Sequence, residues 1–146
     1  LGCKSQEFDI NPDDSIKLET MKRFPIEELE KRIKEIEELI QKGDGQQAAE
    51  KVYSVVESCI KILAEKENLE EYYEAEKRGK WNSILLKDAA DKLGDKIEDK
   101  IKDIWNEAWN LHIWGFHEKY WKLEDIKKRI PVAQEMLEIT KKHLGI

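Results

Sequence analysis

Apolar residues recur at spacings of three and four along most of this chain, and glycine, proline and asparagine punctuate the recurrence. Ile26, Leu29, Ile33, Ile36 and Ile40 form the first stripe, which is the spacing of one face of an α-helix. Pro25 suits a first helical position, where a missing N–H costs nothing, and Gly43 stands where a left-handed cap is needed. The pattern predicts a helix over residues 25–42. Its outer face alternates charge as Glu27/Lys31, Glu30/Lys34 and Glu38/Lys42, the order that supports an exposed helix surface.

Asp44, followed three residues later by Gln47, resembles a capping box and opens a second helix. Ala48, Val52, Val55, Val56, Cys59, Ile62 and Leu63 lie on one stripe of it, and the pattern continues, more polar, through ENLEEYYEAEKR to Gly79. So short a link between the two helices predicts an antiparallel hairpin. Asn82 is a good N-cap for a short third helix carrying Leu85, Leu86, Ala89, Ala90 and Leu93, which Gly94 is expected to stop. A fourth helix is expected from Asp95 to Tyr120. A last one carries Ile126, Ile130, Ala133, Leu137 and Leu144 in one register, with a kink near Ile126–Arg129 because Pro131 removes a backbone bond.

The expected class is all-α, an antiparallel helical bundle of four to five helices. Residues 1–23, with turn chemistry at Asn11-Pro12-Asp13-Asp14, read as an N-terminal arm that docks loosely or frays, and 24–146 as one domain. Composition agrees: 40 % charged and 40 % apolar residues with three prolines suit solvent-facing helices. At 146 residues, folding can bury about 70 % of the surface of the unfolded chain.

The net charge of −6, spread along the helices, argues against direct nucleic-acid binding through bulk charge. Lysine outnumbers arginine 22 to 4, and the Glu/Lys richness is the bias of proteins from hot environments. No apolar run approaches the ~18 residues that cross a bilayer, so the expectation is a cytoplasmic protein with no membrane partner. Cys3 lies in the arm and Cys59 on a helix stripe, which disfavours a disulfide framework or a cysteine zinc site. The opening LGCKSQ lacks a methionine and leaves modification of Cys3 open.

The stretch WNEAWNLHIWGFHEKYW holds four of the five tryptophans and two of the three histidines. On a regular α-helix Ile97, Ile101, Ile104, Ala108, Leu111, His112 and Gly115 share a core arc, with Trp105, Trp109 and Phe116 on its shoulder. Ala108 and Gly115, at the centre, would let another helix approach closely. Trp114 and Trp121 fall instead among Asp103, Asn106, Glu107, Asn110, His117 and Glu118, where a purely solvated face has no use for large aromatics. They are expected under another element, at a homodimer interface, or in a ligand site. His112 and His117 stand about 140° apart on such a helix and could not share an ion. No Glu-x-x-His or His-Glu-x-x-His spacing occurs, so no metal or cofactor is assigned. His117 beside Glu118 is the candidate for proton chemistry or polar recognition.

The segments GDGQQAAEKVYSVVESCIKILAE, EKRGKWNSILLKDAADKLGD and WNEAWNLHIWGFHEKYWKLEDIKKRI resemble the archaeal PaREP family, small helical proteins without an established activity. The similarity spans about residues 25–144, with RGKW and LHIWGFHE its most specific parts. The family looks related to the HEPN superfamily, helical bundles that commonly dimerise and work beside nucleotidyltransferases or as RNases. The RNase members carry an Arg followed four to six residues later by a His, and none of Arg23, Arg32, Arg78 and Arg129 has a histidine in that window. What the resemblance implies is therefore a non-catalytic HEPN-like bundle that homodimerises and associates with a nucleotidyltransferase or nucleic-acid-processing partner. The alternative is a small-ligand or nucleotide-binding protein or hydrolase. It would use Trp114, His117, Glu118 and Trp121, with Arg78, Lys80 and Trp81 of RGKW supplying charge and packing.

Overall fold

The computed structural model describes the backbone of residues 12–146 and the side chains from Pro25 onward. Among these residues the chain is all helical, with no strand. The elements are α1 (Pro12–Gln41), α2 (Gly45–Lys66), α3 (Glu70–Arg78), α4 (Ser83–Lys96), α5 (Lys100–Asn110), a π-helical turn (Leu111–His117), α6 (Leu123–Lys127) and α7 (Pro131–Leu144). Modification of Cys3 falls outside the described residues.

The α1–α2 hairpin forms as the pattern predicts. The amides of Gly43 and Asp44 bond back to the carbonyls of Ile40 and Leu39, with Gly43 at φ +83°. Asp44 Oδ1 then accepts from the Gln47 amide at 3.1 Å to open α2. The start of α1 differs from expectation: the helix reaches back to Pro12, so Pro25 sits inside it and not at its first position. Local signals name Pro25 as a start, yet its fixed φ is compatible with helix and only one backbone bond is lost.

α2 is the central helix and touches every other element. Ala48, Ala49, Val52, Val55, Val56, Cys59, Ile60, Leu63 and Ala64 on it are wholly buried. Each buried Val, Leu or Ile there contributes on the order of 1.5–3 kcal/mol of transfer free energy. α1, α7, α4, α5 and the π-turn pack around this column, so its apolar surface exceeds one stripe.

Two expected helices are divided, and a third runs past its expected end. The second does not run to Gly79: Asn68 takes a left-handed conformation (φ 55°), Leu69 turns inward, and α3 starts anew at Glu70. α3 then ends at Gly79, φ +78°. Gly94 does not stop the third helix. It is buried within α4, where a Cβ would stand 2.6 Å from Lys102 Cγ, so the glycine makes room for the lysine stem crossing from α5. The break comes after Lys96, and Lys102 Nζ bonds Asp95 Oδ1 at 2.6 Å across it. The last expected helix is two helices: Lys128–Ile130 form a turn, and Pro131 opens α7 at a position suited to it.

Charges tie the layers together. Lys141 of α7 bonds Glu30 of α1 at 2.9 Å, Lys51 of α2 bonds Glu35 of α1 at 2.9 Å, and His143 Nε2 of α7 meets Glu67 Oε2 at 2.7 Å.

Candidate functional site

The backbone leaves the α-helical register at Leu111. From there to His117 it is π-helical, and the Glu118 amide still bonds the carbonyl five residues back, Ile113, at 2.7 Å. Bonds that close over five residues place residues five apart one turn apart on the same face. The contact with α2 sits at the centre of this turn: Leu111 and Gly115 are buried, and Gly115 lies against Ala49 and Ile126. The expectation that Gly115 permits a close helix approach is met, with α2 as the neighbour.

The widened turn brings together what a regular helix would separate. His117 Nε2 and His112 Nε2 are 3.2 Å apart. His112 Nδ1 lies 2.7 Å from Glu50 Oε1 of α2. The carboxylate accepts, so Nδ1 of His112 donates; in the neutral ring Nε2 then accepts from the Nε2–H of His117. The chain of polar contacts runs Glu50, His112, His117. The two histidines do not point apart as they would on a regular α-helix, because residues 111–117 are π-helical.

Aromatic rings fix the inner imidazole. Tyr53 of α2 stacks on His112 with centroids 4.1 Å apart and planes 18° from parallel. Trp109 and Phe116 flank it at 5.4 and 6.4 Å. Trp105 is buried behind Tyr53 and stacked on Trp109. Burial, then the Glu57 and Glu50 carboxylates, push the Tyr53 hydroxyl well above its usual range, so it stays protonated and serves as a wall. His112 is half-buried and His117 exposed, so the site opens outward at His117.

The two tryptophans of the supposed polar face have separate settings. Trp121 is half-buried against the core, and the Arg129 guanidinium lies 3.9 Å over its ring. Arg129 also meets Glu107 at 3.1 Å and donates to the Asp125 carbonyl at 2.6 Å. Trp114 is 43 % exposed and packs edge-on against Tyr120, itself 76 % exposed. Glu118 is exposed at the end of the π-turn.

The RGKW residues occupy the α3–α4 junction. Arg78 pairs with Glu74 at 2.6 Å, Lys80 is exposed, and Trp81 packs half-buried on the core just before Asn82 caps α4. α3 packs on α2 and α4, whereas the π-turn packs on α2 and α5. The structure brings His112, His117 and Trp109 together, whereas Arg78, Lys80 and Trp81 stand at the α3–α4 junction, where the start of α4 (Ser83, Ile84) shares a groove with Trp105 and Trp109. Sequence reasoning missed Glu50 and Tyr53. The signal was their i,i+3 spacing on the edge of the α2 stripe, which marks a shared face but not what faces it.

The sequence profile of the archaeal PaREP1/PaREP8 family matches residues 24–137. The chain belongs to the archaeal PaREP1/PaREP8 family. Its fold is shared by a Sulfolobus solfataricus protein solved by crystallography as a structural-genomics target, 32 % identical, with a TM-score of 0.72 over 80 % of this chain and 95 % of that one. A solution structure of the same target gives 32 % identity and a TM-score of 0.69, covering 80 % and 90 %. A search of curated proteins found no match. In this PaREP1/PaREP8 protein no described helix is long and apolar enough to cross a membrane. No cluster of three or more metal-ligating side chains occurs among the described residues.

Proposed function

We propose that this PaREP1/PaREP8 protein is a non-catalytic, HEPN-like bundle that works by association. It pairs with a second copy of itself and serves a nucleotidyltransferase or nucleic-acid-processing protein. The observation that carries the reading is the exposed Trp114–Tyr120 pair at the end of the π-turn. Aromatic residues are enriched at the cores of protein interfaces, and two in contact on one surface form a compact apolar anchor. The absence of an Arg-x(4–6)-His spacing supports a role without RNase turnover. Multi-angle light scattering at tens of micromolar should give twice the 17.3 kDa chain mass. The double variant W114A/Y120A should move toward the monomer with an unchanged helical spectrum. A monomeric parent protein would refute the association.

The Glu50–His112–His117 chain favours a second reading, a small-ligand or nucleotide site or a hydrolase at the π-turn. A carboxylate that orients one imidazole beside another is an arrangement that general acid–base chemistry uses. His117 and Glu118 would meet the ligand, with Trp114 and Trp121 at the margin. A nucleotide panel read by thermal shift tests it: a shift lost in H117A and E118A supports the site, and no shift in the parent removes it.

A further inference from the structure

We propose that His112 and His117 bind one divalent transition-metal ion of the zinc, nickel or copper class through their Nε2 atoms. The inference is independent of the association reading. Four observations carry it.

The first is spacing. Two imidazole nitrogens, each about 2.0–2.1 Å from one tetrahedral ion, stand about 3.3 Å from each other. The Nε2 atoms of His112 and His117 are 3.2 Å apart. The ion takes the place of the hydrogen between the rings, and His117 then carries its proton on Nδ1.

The second is the tautomer. A ligating histidine commonly donates its other N–H to a carboxylate, which fixes the ring and raises its basicity. Glu50 Oε1, 2.7 Å from His112 Nδ1, holds the ring in the tautomer whose lone pair is on Nε2, where the ion would replace the His117 proton.

The third is rigidity on one side and access on the other. His112 is clamped by the stacked Tyr53 ring, while His117 is exposed. The five-residue register of the π-turn puts the two side chains on one face, so the backbone is already ordered for the binding step.

The fourth is the ligand set. Two neutral imidazoles suit zinc, nickel and copper, whereas magnesium and calcium require oxygen. No third ligating side chain joins the pair among the described residues. Water completes the coordination, so the ion is exchangeable and solvent-facing.

The test is calorimetric titration of the untagged full chain with Zn2+ and Ni2+. A C3S background keeps the Cys3 thiol from competing. One ion per chain is expected, with Mg2+ silent. H117A, at an exposed ring, should weaken binding at least about tenfold without unfolding the bundle, and E50Q should weaken it by about 10-fold or more through the loss of the orienting carboxylate. H143A, on α7, should bind as the parent does. Ring 15N resonances of both histidines should shift together on adding Zn2+. No binding in the parent, or unchanged affinity in H117A, would overturn the site; unchanged affinity in E50Q would remove Glu50 from it.

Discussion

Gly115 and Ala49 meet with no room for a side-chain carbon between them: a Cβ on Gly115 would stand 2.9 Å from that of Ala49. The neighbour is a short side chain fixed to the buried face of α2, so it cannot swing away as a long one would. G115A is expected to destabilise the protein by about 1–3 kcal/mol through overpacking. Urea unfolding measures the loss, and parent-like stability would show that the π-turn can lift off α2 at little cost.

Arg129 fastens the far side of the same region by covering Trp121 and meeting Glu107. R129A should cost on the order of 1–2 kcal/mol, the range of a partly desolvated cation–π contact with its ion pair. R129K keeps charge without the planar face and should fall between. Thermal unfolding ranks the three. An R129K variant as stable as the parent would assign the contribution to charge alone.

Cys59 lies wholly buried on α2, and burial pushes its thiol up to about 12 despite a bond to Thr140 and the charge of Arg32. The thiolate is the reactive form, so the native protein should be inert at this position. In a C3S background Ellman's reagent at pH 8 should report almost no thiol until denaturant is added, and then one per chain. Rapid modification of the folded protein would contradict the burial.

Glu67 joins the end of α2 to His143 of α7, and the bond from His143 holds its carboxyl below the usual carboxylate range. A carboxyl depressed in the folded state adds stability above its unfolded value of about 4.3, and that stability is lost as pH falls through the lower folded value. H143A should therefore lower the urea midpoint at pH 6 more than at pH 3. An equal drop at both values would show that the contact is packing and not charge.

The stripes Ile26–Ile40 and Ala48–Leu63 were readable because burial on one face leaves a three-and-four spacing in the sequence itself. The caps Asp44 and Asn82 and the turn at Gly43 were readable for the same local reason, since each satisfies or bends backbone within a few residues. Asn68 was harder: asparagine tolerates a left-handed conformation without demanding it, and inward docking of Leu69 accompanies that conformation here. Gly94 carried the same letter as Gly43 and did the opposite, because the Lys102 stem needed the space.

Sequence by itself thus determined an all-helical chain, most of its core residues, the α1–α2 hairpin and the inward faces of Trp105 and Trp109. Only the tertiary structure decided the register of residues 111–117 and the pairing of Glu50 with His112. The reason is physical. An α-helical pattern is written in bonds between neighbours four apart, whereas a π-turn is selected by how Leu111 and Gly115 seat on α2, where Ala49, the neighbour of Gly115, is 66 residues away in the chain. That one change of register moved His117 from the opposite side of a helix to within 3.2 Å of His112.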